Sequence, residues 1–464
     1  MPWPPLPPIS MDLLSPLAGT VLLFLGDSGT PRLDVSHDDV DGVAVESFDV
    51  GGERVAFADL GRSRAAGRVV LRFAARGAAV RVPHCAGRGH VFVDGAQQSV
   101  PAKGPVVIKL DRSDVDHEVK VEIDVSGYEK RIACGEPPRV GNPVRSTDGL
   151  SLVRFASPEA SKGGGEAVVF VPRGHDRTAP GALLVGTHPW NGGVWTYAAY
   201  RELLEEAQAK DVVLVMPSGL GNSLYTADAE GEVMRAIDAV KTAVAVDPQR
   251  VSIWGASMGG AGATTIAFHR PDRFAFVASY FGDSKYDMTT YVKSILGGTG
   301  GAHAVNALDV IENGRHLPVF LVHGENDRTS PIVQSSMLES AMKKRGMSVD
   351  FERVPGMAHE GPLVVKYIRT VVDRAATAKA PVHPTRVSFR SVRAEDTSAY
   401  GVRLVRSGKG DAFVDLEKRS DGIHVLAAEG TREIVLGPSA LGASGGEAIS
   451  FERGVSGVRV RFEP

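Results

Sequence analysis

The chain of 464 residues sets 52 lysines and arginines against 55 aspartates and glutamates, a formal net charge of −3. That balance excludes a polybasic nucleic-acid binder and offers no attraction to an anionic membrane surface. A composition of 43% hydrophobic and 23% charged residues is that of a globular protein, and the length exceeds one ordinary domain.

The first ten residues are proline-rich, and residues 17–25 form an apolar run, Leu17-Ala18-Gly19-Thr20-Val21-Leu22-Leu23-Phe24-Leu25. No lysine or arginine precedes the run and no small-x-small cleavage site follows it, so a first buried strand is preferred over a signal peptide. The run is also too short to cross a bilayer. From there to residue 145 short β-prone segments alternate with turn residues, as at 68–73, 79–82, 90–93 and 118–123. An all-β domain over 1–145 is expected. Gly89-His90-Val91-Phe92-Val93-Asp94-Gly95, then Val106-Val107-Ile108-Lys109-Leu110, then residues 117–123 with Gly127-Tyr128, resemble a PEGA-type β module over about 89–133. The resemblance implies a non-catalytic role, in a family usually tied to surface or envelope proteins. Cys85 and Cys134, the two cysteines, fit no zinc or redox spacing; a disulfide and two unpaired thiols both remain open.

Pro137-Pro138-Arg139-Val140-Gly141-Asn142-Pro143 reads as a linker. Beyond it, strand patterns at 167–171, 182–187, 212–216 and 276–280 alternate with helical ones at 197–210, 231–245 and 334–345. Val233, Ile237, Val240 and Val244 share one helical face, as a helix laid on a sheet requires. This predicts an α/β domain over 146–380 with a mostly parallel central sheet.

Within it, Val251-Ser252-Ile253-Trp254 leads into Gly255-Ala256-Ser257-Met258-Gly259 and then a run of small residues, Ala261-Gly262-Ala263. A strand, a sharp turn carrying serine in G-x-S-x-G and a helix make up a nucleophile elbow. Two further strand ends follow. Residues 317–323 lead into Gly324-Glu325-Asn326-Asp327, and residues 349–354 lead into Gly356-Met357-Ala358-His359. The chain order Ser257, Asp327, His359 is that of α/β-hydrolases, and each residue follows the carboxyl end of a predicted strand, where open α/β sheets bind ligands.

Serine is a poor nucleophile at neutral pH and needs a neutral imidazole to take its proton, which is the role expected of His359. Asp327 is expected to hold the imidazole in the right tautomer. Glu325 in the same loop and Asp283 after a different strand are rivals for the acid. His323 and His188 read as structural histidines. The oxyanion hole needs two backbone N–H groups. Met258, directly after the serine, is one. The other must come from His188-Pro189-Trp190-Asn191-Gly192-Gly193, where Pro189 has no N–H, so Trp190 is assigned. Trp190, Trp195 and Tyr197 either line a substrate pocket or simply pack the loop.

After residues 375–381, β patterns such as 385–389 and 458–462 predict a small all-β domain over 381–464.

Gly255-Ala256-Ser257-Met258-Gly259-Gly260, His269-Arg270-Pro271-Asp272-Arg273-Phe274-Ala275, Val246-Asp247-Pro248-Gln249-Arg250-Val251 and His323-Gly324-Glu325-Asn326-Asp327 resemble the esterase and prolyl-oligopeptidase-like branches of the α/β-hydrolase superfamily. His383-Pro384-Thr385-Arg386-Val387 with Ala399-Tyr400-Gly401-Val402 resembles a β tail found on some bacterial hydrolases of this kind. The resemblance implies a serine hydrolase working without cofactor or metal on a small or polymeric carboxylic ester. A peptidase of the prolyl-oligopeptidase type is the alternative, weakened because no repeat of propeller-blade length appears. A non-catalytic binding protein on the same scaffold is disfavoured because all three catalytic positions are filled. Substrate identity, compartment and oligomeric state are not encoded in any motif.

Overall fold

The computed structural model describes residues 149–463 apart from 159, 161–163, 177, 199 and 439. Before them it describes twelve strands and the turns at 76–78, 94–95, 99–100 and 110–116. Met1 to Gly19, Cys85 and most of the segment read as a linker lie outside the described residues.

The described part of the amino-terminal region is built of strands. Thr20–Phe24, inside the apolar run, lies between Arg131–Cys134 and Glu53–Asp59 in a four-stranded sheet. A five-stranded sheet contains Gly67–Ala75, His117–Val125 and Gly89–Val93. It ends in a hairpin onto Ala96–Gln98, turned by Asp94 (φ 50°) and Gly95 (φ 79°). Two successive positive φ angles match the twist of a two-residue hairpin, which Asp-Gly adopts readily.

The central sheet has nine strands among the described residues, in the order Arg139–Val140, Gly149–Ala156, Gly164–Val171, Val212–Pro217, Gly181–Thr187, Val246–Ala256, Phe276–Tyr280, Val319–Gly324, Val349–Val354. From Val212–Pro217 onward every pairing is parallel; Gly164–Val171 is antiparallel to both of its neighbours. The two-residue strand Arg139–Val140 arises within the expected linker and pairs along Leu152–Val153, so this segment extends the sheet edge.

Both faces are covered, which is why the strands read as continuous apolar runs. Asp228–Lys241, Met258–His269 and Val333–Lys344 pack one face through Val233, Ile237, Val240, Ile266, Leu338 and Met342. Arg201–Lys210 and Pro362–Thr377 pack the other through Leu203, Leu204, Leu363, Ile368 and Val371. The helix expected from residue 197 begins only at Arg201. Tyr197 is instead a buried plug: its hydroxyl donates to the Thr187 carbonyl and accepts from Ala256 N–H, both at 2.9 Å.

Residues 386–462 form two four-stranded sheets packed face to face over Val387, Phe389, Leu404, Val414, Leu416, Val425, Ile434 and Leu436. This core is separate from that of the α/β region, but the surface between the two is not bland. Buried Arg393 bonds Glu230 (2.6 Å) and Asp396 (2.7 Å); Glu230 also takes Arg270 (2.6 Å), and Asp396 takes His269 Nδ1 (2.7 Å). Burial pushes His269 below its ordinary pKa, so a neutral ring donates to an aspartate held ionised. Asn313 bridges the Phe268 and Arg390 carbonyls, and Tyr400 Oη donates to the Pro271 carbonyl (2.8 Å). The sandwich therefore grips the carboxyl end of helix Met258–His269.

Arg393→Ala would leave buried Glu230 with Arg270 and buried Asp396 with His269 as their remaining partners, and breaking a buried pair costs about 3–5 kcal/mol. Urea unfolding should show a loss of that size; a loss under about 1 kcal/mol, the range of exposed pairs, would mean that the cluster is solvated.

Candidate active site

Ser257 sits between the end of Val246–Ala256 and the first turn of Met258–His269, with φ 57° and ψ −122°. A non-glycine residue held at positive φ is strained, and neighbouring contacts must impose it. Ser257 N–H donates to the Tyr280 carbonyl (2.9 Å), and its own carbonyl accepts from Ala261 N–H (3.0 Å). The turn is tight because its glycines lack side chains. A Cβ on Gly259 would drive into the Thr187 carbonyl, and one on Gly255 into the Thr187 hydroxyl and the Gly259 backbone.

The elbow lifts the serine hydroxyl toward His359, on the loop after Val349–Val354. Ser257 Oγ–H donates to His359 Nε2 (2.8 Å), and His359 Nδ1–H donates to Asp327 Oδ2 (2.7 Å). Phe281 lies against the imidazole at 4.4 Å between ring centroids. Asn326 N–H donates to the Met357 carbonyl (2.8 Å), tying the aspartate loop to the histidine loop. Thus the structure brings Ser257, His359 and Asp327 into one hydrogen-bonded line. Of the rival acids, Glu325 is exposed, while Asp283 accepts from Ser330 Oγ (2.5 Å).

Asp327 is buried, which by itself disfavours its charge. Hydrogen bonds from His323 and His359 outweigh that cost and pull its pKa down to about 2. Its Oδ1 takes the Thr329 and Ser330 amides (2.8 and 2.9 Å), and His323 Nε2 stands 3.1 Å from its Oδ2. His323 was expected to be structural; its contact with the acid is what the sequence reading missed. The four-residue spacing across the Gly324 turn is the signal that could have shown it.

Met258 N–H belongs to the first helical turn, where amides lack intrahelical partners. In the loop after Gly181–Thr187 the amides of Asn191, Gly192 and Gly193 are bonded to Asn222 Oδ1 (2.7 Å), Pro189 O (2.9 Å) and Thr196 Oγ1 (2.8 Å). Trp190 N–H is outside that set. Trp190 and Trp195 are half-buried, whereas Tyr197 is fully enclosed and packs the loop. Among the described residues no group of three His, Cys, Asp or Glu side chains is arranged to hold a metal ion. No helix among them is long and apolar enough to cross a membrane.

Residues 227–377 match the Prolyl oligopeptidase family, a span that holds Ser257, Asp327 and His359. No curated protein matches the chain. Among solved structures, an S-formylglutathione hydrolase from Agrobacterium tumefaciens is 17% identical, covering 50% of this chain and 96% of that one, with a TM-score of 0.44. A ferulic acid esterase is 15% identical over 49% of this chain and 96% of its own (TM-score 0.43). The acylaminoacyl peptidase of Pyrococcus horikoshii is 16% identical over 50% of this chain and 42% of its own (TM-score 0.42). The sheet, the elbow and the family match define a serine hydrolase of the α/β-hydrolase superfamily. Within that superfamily the matched span is similar to the prolyl oligopeptidases.

One buried group beside the site titrates near neutrality. Glu232 accepts from Ser218 Oγ (2.8 Å) and Gly219 N–H (3.0 Å). Burial raises its pKa to about 7, with those bonds opposing. Ser218 in turn presents its carbonyl to His188 Nε2 (2.8 Å), at the root of the Trp190 loop. Because the folded pKa lies above the unfolded 4.5, the associated stability is fully present below pH 4.5 and is lost as pH rises through 7. The gap corresponds to on the order of 3 kcal/mol. Relative to Glu232→Gln, the wild type should therefore lose unfolding free energy between pH 4.5 and 8. A difference that stays constant with pH would show that Glu232 does not titrate in this range.

Proposed function

We propose that the protein hydrolyses carboxylic esters through an acyl-enzyme formed on Ser257. The observation that carries this reading is the line Ser257–His359–Asp327, with bonds of 2.8 and 2.7 Å, at the carboxyl ends of three parallel strands. Ser257 Oγ attacks the ester carbonyl carbon while His359 Nε2 takes its proton. The carbonyl π electrons move onto oxygen, where the N–H groups of Met258 and Trp190 receive the negative charge. On collapse the C–O bond to the alcohol breaks, and the alkoxide leaves with the proton from His359. Water then repeats the sequence on the acyl-serine, releasing the acid and restoring the serine. Asp327, ionised down to about pH 2, remains an anion throughout and stabilises the imidazolium.

An ester is favoured over an amide because an alkoxide leaves more easily than an amine, which must be protonated as it departs. Eleven of the twelve described amino-terminal strands form sheets of four, five and two strands, which supports accessory modules beside a site acting on a small or polymeric ester; the twelfth, Arg139–Val140, reaches across the boundary onto the edge of the central sheet. We propose the units 1–145, 146–380 and 381–464 accordingly. The match of residues 227–377 favours one rival, a serine peptidase of the prolyl-oligopeptidase type.

Three measurements test the proposal. A fluorophosphonate probe should label the wild type and leave Ser257→Ala unlabelled; equal labelling would remove Ser257 from the nucleophile role. Asp327→Asn should cost on the order of 10⁴ in kcat, as loss of the orienting acid does in such triads; near-normal turnover would remove Asp327 from the acid role. Comparing an ester with an anilide of the same acyl group, kcat/KM should strongly favour the ester. Parity, or preference for a proline anilide, would make the protein a peptidase.

A further inference from the structure

Asp327 lies in a turn whose neighbours Arg328 and Thr329 are exposed, so no regular element holds its carboxylate in register. Ser330 is the buried residue of that turn, and each of its polar groups is engaged. Its N–H donates to Asp327 Oδ1 (2.9 Å), its carbonyl accepts from His323 Nε2 (2.7 Å), and its hydroxyl donates to Asp283 Oδ1 (2.5 Å). His323 is oriented from its other side by Ser335 Oγ at 2.8 Å from Nδ1. Asp283 comes from a different loop, just past Phe276–Tyr280, and hydrolysis as written above has no step for it. It is close enough to His359, His323 and Asp327 for their charges to act on it.

We propose that Ser330, anchored through its hydroxyl on Asp283, is a positioning residue that keeps Asp327 Oδ2 aligned on His359 Nδ1. The proposal rests on the reading of Ser257, His359 and Asp327 as the catalytic groups. Asn326 N–H on the Met357 carbonyl holds the Asp327 loop to the His359 loop (2.8 Å), but the loops of Asp327 and Asp283 leave separate strands of the sheet. The Ser330–Asp283 bond spans them, while the Ser330 amide fixes the rotation of the Asp327 carboxylate. Oδ1 is then committed to the turn and Oδ2 to the two imidazoles. Removing the hydroxyl frees the turn and leaves Asp283 without that donor, so the acid drifts from its line. Misplacement on the scale of an ångström costs up to about a hundredfold in rate.

The test uses the full-length protein, an activated ester and five variants: Ser330→Ala, Asp283→Ala, Asp327→Asn, and each of the first two combined with Asp327→Asn. Thermal melts select conditions under which every variant is folded. Ser330→Ala and Asp283→Ala should each lower kcat about tenfold with KM unchanged, the pattern of an interaction expressed in the transition state. Combined with Asp327→Asn, each should add no further loss, because residues that act through one another are not additive. Three results would overturn the proposal: kcat of Ser330→Ala within twofold of wild type, a loss confined to KM, or a tenfold loss that persists undiminished in the Asp327→Asn background. Wild-type activity in Asp327→Asn itself would instead overturn the underlying triad.

Discussion

The backbone of Ser257 is the constraint on which the site depends. Its positive φ turns the chain from a buried strand into a buried helix within one residue, presenting the hydroxyl at the carboxyl end of a central strand. That turn is possible only where helix and strand approach closely, hence the missing side chains at Gly255 and Gly259 against Thr187. Thr187 closes the same contact from its side, donating to the Trp254 and Gly259 carbonyls (2.9 and 2.7 Å). The next residues of that strand become the Trp190 loop. One close approach therefore sets both the serine and the loop that would share the oxyanion.

The helix that starts at this turn is also held at its far end. Helix Met258–His269 is buried along its whole length, and its carboxyl end is held by Asp396, Asn313 and Tyr400. Two of these belong to the carboxyl-terminal sandwich. A group of charges removed from water stabilises little by itself but permits one arrangement and penalises others. The sandwich is thus part of what fixes the helix, although its hydrophobic core is its own.

Two buried carboxylates, Asp327 and Glu232, obey opposite rules. Asp327 is buried yet stays ionised, because the Thr329 and Ser330 amides and His359 donate to its two oxygens and the His323 ring stands 3.1 Å from one of them. Glu232 is buried with two neutral donors and is pushed toward protonation. Burial penalises both; the number and charge of the donors decide which keeps its proton.

Much was legible in the residues themselves. The strand–turn–helix around Ser257, the parallel alternation and the two β regions follow from apolar periodicity and glycine placement, which are local. The sequence by itself determined which side chains are available, in what order, and at which strand ends: Ser257 and Asp327 each follow a run too apolar to lie anywhere but inside the sheet, and His359 follows the alternating strand Val349–Val354 at its edge. It did not show that Tyr197 plugs the sheet instead of starting a helix, that Arg139–Val140 joins the sheet edge, or that Ser330 bonds Asp283. Those facts depend on contacts between segments that neither periodicity nor turn chemistry relates. Only the tertiary structure decided them, because a hydrogen bond between loops is set by how the sheet orders its strands.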